Sequence, residues 1–157
     1  MKKETIKIYT DGAARGNPGR AGWGAVFLRG NEVFFEMGGR SDHATNNQME
    51  LTAPIEALKY LKLNISNLDL DIDKLEIVSD SKYVILGITE WIFNWQKNNW
   101  RNAAKKPVLN QKLWEELYDL NKEFNPRWTY VKGHDGDRCN ERADEIATSF
   151  ADGSPVL

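Results

Sequence analysis

Bulky and polar residues alternate along Ile6-Lys7-Ile8-Tyr9-Thr10-Asp11-Gly12, and this stretch reads as a strand. It closes on Asp11-Gly12, with a glycine-rich run behind it. Two more strands follow, Gly22–Arg29 and Glu32–Gly39, joined by Gly30-Asn31 at the spacing of a tight hairpin. The pattern then changes period. After the cap-type residues Thr45-Asn46-Asn47-Gln48, the apolar positions Leu51, Ile55, Leu58 and Leu61 recur at helical spacing. Pro54 lies inside that helix and removes the donor that would bond the carbonyl of Glu50, which predicts a kink or a widened turn.

The connector from Asn64 to Lys74 carries Asp69, Asp71 and Asp73. It lacks the glycine and the final glutamate of a calcium loop, so it reads as an exposed acidic loop or edge. Leu75–Ser79 is a fourth strand and ends in Asp80-Ser81. Helical segments follow at about Lys82–Gly87 and Thr89–Asn98, the second with Thr89 as cap. Trp91, Trp95, Ile88 and Ile92 share one face there and predict a small local core. Trp100–Pro107 is a polar, basic loop. The helix Asn110–Phe124 carries Leu113, Leu117 and Leu120 on one side, Arg127–Val131 is a fifth strand, and a last helix spans about Asn140–Phe150. Residues 1–157 read as a single domain, with 152–157 as a flexible tail.

This order predicts an α/β fold: a five-stranded mixed sheet made of an antiparallel three-strand meander and two parallel strands, with helices on both faces. A right-handed crossover lays the fourth strand parallel to and beside the first. Both strands then finish at the same edge, and both finish in an acid. Adjacent strands lie roughly 4.8 Å apart, so Asp11 and Asp80 stand side by side. Two carboxylates at that spacing repel unless one is protonated or a cation sits between them. The first helix can bring Glu50 to the same edge, and the last can bring Asp144. Four converging carboxylates suit a pair of hard ions, Mg²⁺ or Mn²⁺, of the kind that align water and leaving oxygen on a phosphodiester.

Charge refines this picture. The net charge of −2 argues weakly against nucleic acid, but its distribution does not. Between Trp91 and Trp114 there is no acid, while Lys97, Arg101, Lys105, Lys106 and Lys112 form a basic stripe. The single Cys139 cannot form an internal disulfide and fits a reducing compartment. No apolar run approaches the ~20 residues of a membrane span. A cytoplasmic, monomeric protein is expected.

A set of short motifs runs along the chain, beginning with Tyr9-Thr10-Asp11-Gly12, Gly16-Asn17-Pro18-Gly19 and Thr45-Asn46-Asn47-Gln48-Met49-Glu50-Leu51. It continues with Ser79-Asp80-Ser81, Trp91-Ile92, Asn94-Trp95, Lys105-Lys106-Pro107-Val108, Val131-Lys132-Gly133-His134 and Asn140-Glu141-Arg142-Ala143-Asp144-Glu145. In these motifs and their order the chain resembles type 1 ribonuclease H of the bacterial kind, and the likeness covers about Thr5 to Ala151.

The resemblance implies a metal-dependent endonuclease that cuts the RNA strand of RNA/DNA hybrids and leaves 5′-phosphate and 3′-hydroxyl ends. Asp11, Glu50, Asp80 and Asp144 would hold two ions with substrate bound, Mg²⁺ or Mn²⁺, and Asp11 would touch both. His134 matches a mobile histidine that moves or positions the proton of the attacking water, and a near-neutral imidazole suits that task. Asn17, Asn46 and Asn47 match contacts to RNA 2′-hydroxyls. Thr45 matches a phosphate-pocket residue. The stretch holding Trp91, Lys97, Trp100, Arg101, Lys105 and Lys106 matches a basic protrusion that grips the DNA strand. The sequence departs from the family at Gln96, Asn98 and Asn99, where relatives are more basic, and at Ala14. Two alternatives stay open: a non-catalytic hybrid-binding module, and another polynucleotide transferase of the same fold.

Overall fold

A computed structural model of the chain describes residues 3–68, 70–133 and 136–157. Five strands form one sheet in the order β3-β2-β1-β4-β5. They are β1 (Lys3–Gly16), β2 (Gly19–Arg29), β3 (Glu32–Ala44), β4 (Asp71–Ser79) and β5 (Arg127–Tyr130). β1 is central. It pairs antiparallel with β2 and parallel with β4, and β4 pairs parallel with β5. The mixed sheet is therefore the expected one, with helices on both faces.

The strand boundaries differ from the sequence expectation in an instructive way. β1 does not stop at Asp11. Its parallel pairing with β4 ends at Thr10↔Ser79, while its antiparallel pairing with β2 runs on through Asp11↔Gly24 to Gly16↔Gly19. The glycine-rich run is thus paired strand on both sides of a turn at Asn17-Pro18. Asp11 sits at the step where β1 loses its neighbour on the β4 side. β4 also begins earlier than Leu75: Asp71 pairs with Lys3, so Asp71 and Asp73 lie in strand. Asp69 lies outside the described residues.

Helix α1 (Asn46–Asn64) starts at a capping box. The Thr45 Oγ1 accepts from the Gln48 amide at 3.1 Å, and the Thr45 amide donates to the Gln48 side chain at 2.9 Å. The helix runs through buried Pro54 as a single α-helix, against the expected widened turn. The widened turn lies elsewhere. Between α2 (Lys82–Leu86) and α3 (Ile92–Lys97), residues Gly87–Trp91 form a π-helical turn, so the two segments are joined. Thr89 is inside this turn and does not cap a helix; its hydroxyl donates to the Ile85 carbonyl at 2.6 Å. The backbone of Gly87 is pressed against Trp114, where a Cβ would lie 2.0 Å from the ring.

Helix α4 (Gln111–Phe124) buries Trp114, Leu117 and Leu120, while Leu113 is only half-buried. α1 and α4 cover one face of the sheet over a core that includes Ile6, Ile8, Phe27, Leu51, Leu58, Ile77 and Trp114. α5 (Arg138–Ala151) covers the other face, over Tyr9, Val26, Leu28, Val78, Ala143 and Ile146. The last residues turn back onto α5, with the Ser154 and Val156 amides donating to the Ser149 carbonyl and hydroxyl. Among the described residues, no helix is long and apolar enough to cross a membrane.

Candidate active site

The carboxylates of Asp11, Glu50 and Asp80 each offer an oxygen within 4.8 Å of the other two. Three separate features of the chain bring them together. Asp11 stands where β1 outruns its parallel partner, and Asp80 is the first residue past β4. Glu50 arrives because α1 crosses β1 at very short range: a Cβ on Gly12 would lie 2.4 Å from the Glu50 backbone nitrogen and 2.5 Å from the Met49 carbonyl carbon. Only glycine allows that approach.

The opposite face uses the same device. Gly24, the partner of Asp11, lies under α5, and a Cβ there would be 2.6 Å from the Ala143 carbonyl oxygen. Asp144 therefore lands beside the cluster. It lies outside the closest trio but lines the same hollow of about 470 Å³, together with Arg15, Asn46 and Thr148.

Asp11 and Glu50 are 5% and 6% exposed. Burial, reinforced for Asp11 by Glu50, Asp80 and Asp144, pushes the Asp11 carboxyl up to about 11. Burial also raises Glu50, to about 8. Asp80 is raised by burial too, with hydrogen bonds from Asp11 and Glu50 opposing the shift. These groups titrate as one coupled cluster whose last protons are hard to remove. The Gly12 amide donates to Asp11 Oδ1 at 2.8 Å. Glu50 Oε1 is buried without a hydrogen-bond partner among the described residues. An all-oxygen donor set with one orphaned oxygen and excess negative charge fits a hard divalent cation such as Mg²⁺ or Mn²⁺.

The other predicted residues are placed unevenly. His134 lies outside the described residues. The neighbouring loop does reach the cluster, since a Cβ on Gly133 would lie 2.9 Å from Asp80 Oδ2. Asn17 and Asn46 meet: the Asn46 amide donates to Asn17 Oδ1 at 3.0 Å, tying the β1–β2 turn to the start of α1. Asn47 is exposed beside them. The Thr45 hydroxyl is engaged in the cap.

Lys97, Arg101, Lys105 and Lys106 are exposed on the protrusion, away from the hollow's lining. Trp91 is 37% exposed. Trp95 links it to the core, with ring centroids 6.0 Å from Trp91, 6.2 Å from Trp100 and 5.3 Å from Trp114.

Two groups escaped sequence reasoning. Asn110 takes a left-handed conformation (φ 64°), and its carboxamide accepts from Gln48 and donates to the Tyr83 hydroxyl, joining α1 to α2. Asparagine just before a helix was the only signal, and it reads equally well as an ordinary cap. Arg15 on the hollow's rim carried no signal at all.

Comparison with known proteins agrees with this geometry. The RNase H family model matches residues 3–152. A Ribonuclease H of Ruthia magnifica subsp. Calyptogena magnifica is 49% identical over 147 residues, covering 94% of this chain and 95% of the relative. Among solved structures, LC9-RNase H1 superposes with a TM-score of 0.80 at 22% identity, covering 98% of this chain and 75% of that one, and supports the fold. LC11-RNase H1, solved in complex with an RNA/DNA hybrid, gives a TM-score of 0.68 at 28% identity over 94% and 97% of the two chains. With its family model, its curated relatives and its fold in agreement, the chain belongs to the RNase H family.

Proposed function

We propose that the chain hydrolyses the RNA strand of RNA/DNA hybrids as a metal-dependent endonuclease. The observation that carries this reading is the convergence of Asp11, Glu50 and Asp80, with Asp144 on the same hollow, in a member of the RNase H family. The hybrid bound to LC11-RNase H1 supports the substrate class.

In this reading Asp11, Glu50, Asp80 and Asp144 would hold Mg²⁺ or Mn²⁺, two ions with substrate bound. When bound, the ions would supply Lewis-acid activation of water and stabilise charge on the leaving oxygen. The water oxygen bonds to phosphorus as its proton passes to a base, the bond from phosphorus to the 3′ oxygen breaks with its electron pair on that oxygen, and that oxygen takes a proton. The products carry a 5′-phosphate and a 3′-hydroxyl. His134 serves the proton movement. Asn17, Asn46 and Asn47 stand on the hairpin and helix start that border the hollow, and their amides can donate to and accept from 2′-hydroxyls. The DNA strand lies on the protrusion, where Trp91 and Trp100 offer ring faces and Lys97, Arg101, Lys105 and Lys106 offer charge. The protein acts as a monomer in the cytoplasm.

The test is cleavage of an end-labelled RNA/DNA hybrid with Mg²⁺, beside duplex RNA, duplex DNA and an EDTA control. Hybrid-only, metal-dependent cutting is expected. Folded protein that cuts nothing in Mg²⁺ or Mn²⁺ would overturn the reading in favour of a binding module.

A further inference from the structure

Arg15 is the one cationic side chain among the residues lining the acid hollow. It lies on the face of β1 that carries Asp11, since residues four apart on a strand point the same way, about 13 Å along the strand. Its guanidinium makes a two-pronged pair with Asp152: Nε donates to Oδ1 at 2.7 Å, and Nη2 donates to Oδ2 at 2.9 Å. Both partners are about half exposed.

Two features of this pair are odd for a stability device. Asp152 is the C-cap of α5, where the helix dipole disfavours an anion. Arg15 also stands directly opposite Arg20 across the hairpin, and like charges at that position repel. Arg15 on the rim of the hollow, with Arg20 as its cross-strand partner, forms a place for a phosphate. A guanidinium fork that holds a carboxylate by two parallel hydrogen bonds holds a phosphate in the same way.

Resting on the hybrid-nuclease reading, we propose that Arg15 binds a backbone phosphate of the nucleic acid flanking the scissile one, and that Asp152 holds the guanidinium in place of that phosphate until substrate arrives. Asp152 is thus a competitor for Arg15, and its removal frees the arginine.

The experiment is steady-state cleavage of an RNA/DNA hybrid in Mg²⁺ over a range of KCl concentrations. Arg15→Ala should raise KM about 3- to 10-fold with kcat within 2-fold, and should lower the slope of log(kcat/KM) against log salt by about one. Arg15→Lys keeps the charge and loses the fork, so it should restore the slope but only part of KM. Asp152→Ala should lower KM. An unchanged KM and salt slope in Arg15→Ala would overturn the phosphate contact, and a raised KM in Asp152→Ala would overturn the competition. If the wild-type protein cuts no hybrid, the nuclease reading itself has failed. If it cuts and Arg15→Ala matches it, only this inference has failed.

Discussion

The acid hollow and the root of the protrusion are built on opposite principles. In the hollow, carboxylates are packed against each other, two of them almost fully buried, and one Glu50 oxygen has no partner among the described residues. Such a site lowers the stability of the fold and is completed by a ligand of opposite charge. In the protrusion the cations stand in water, and the backbone beneath them is closed on itself. The Asn102 side chain accepts from the Ala104 and Lys106 amides at 2.9 and 3.0 Å, and Arg101 donates to the Lys105 carbonyl at 3.0 Å. Below it Trp95, Trp114 and Tyr83 pack ring against ring. The hollow concentrates unpaired like charge, while the protrusion pairs its backbone and leaves its cations to solvent.

The sharpest way to break this contrast is Asp80→Asn. It removes one charge from the hollow without changing shape, so cleavage of a hybrid should fall at least ~1,000-fold. Because the substitution relieves repulsion, the melting temperature should hold or rise. A variant that cuts like wild type would show that the acids are not the reactive centre. A variant that unfolds would show that they support the fold.

Next in size is Trp114→Ala, which attacks the protrusion's root. Trp114 is fully buried, donates from Nε1 to the Tyr83 hydroxyl at 3.1 Å, and lies against Gly87. Deleting a buried tryptophan costs about 3–5 kcal/mol. In a domain of about 150 residues each kcal/mol lowers the melting temperature by about 2–4 °C, so calorimetry should show a fall of roughly 10 °C. A shift within 2 °C of wild type would mean that the aromatic cluster does not anchor the protrusion.

These two regions were not equally legible in the sequence. The hollow was, because the crossover topology lays β4 parallel to β1, and Asp11 and Asp80 stand just past the end of that parallel pairing. Glu50 followed from a helix whose period was clear. The boundaries misled where glycines mimic loops: Ala13–Gly16 and Gly19–Ala21 read as part of a glycine-rich run outside the strands, and both are paired strand around a turn at Asn17-Pro18. On α4, beneath the protrusion, the helical period picked out Leu113 in place of Trp114, since both positions keep helical spacing to Leu117. The π turn at Gly87–Trp91 has no local signature, because it is set by a contact with Trp114 more than twenty residues away. Arg15 and Asp152 are 137 positions apart, and nothing local joins them.

The comparison sharpens further with pH. Folded-state carboxyls that titrate above their unfolded value of about 4 bind protons in the folded state that the unfolded chain has lost. Stability is therefore greatest below about pH 4 for these groups and declines as pH rises, through about 8 for Glu50 and on toward 11 for Asp11. In EDTA, the melting temperature should fall by several degrees between pH 5 and pH 9. Mg²⁺ should remove most of that slope, because a bound cation stabilises the charged cluster. Asp11→Asn should flatten the EDTA profile. A metal-free profile that stays level, or rises with pH, would show that the hollow carries no such repulsion.

The smallest effect belongs to the exposed cations. Lys105 and Lys106 sit on a loop whose shape is held by Asn102 and by the Arg101↔Pro107 bridge, and neither lysine supports that shape with its side chain. Replacing Lys106 with alanine should leave the melting temperature within about 1 °C of wild type. Hybrid affinity should weaken only a few-fold near physiological salt, and the slope of log affinity against log salt should drop by about one, since one phosphate contact releases about one counterion. The loss should be the same for hybrids of different sequence, because phosphate contacts carry no base information. Salt titrations on two unrelated hybrids test this. A loss confined to one sequence, or a slope that does not move, would mean that Lys106 is a solvated charge and that the strand lies elsewhere. The matched result would place the DNA strand on the protrusion, whose loop is closed by its own hydrogen bonds, apart from the repelling acids of the hollow.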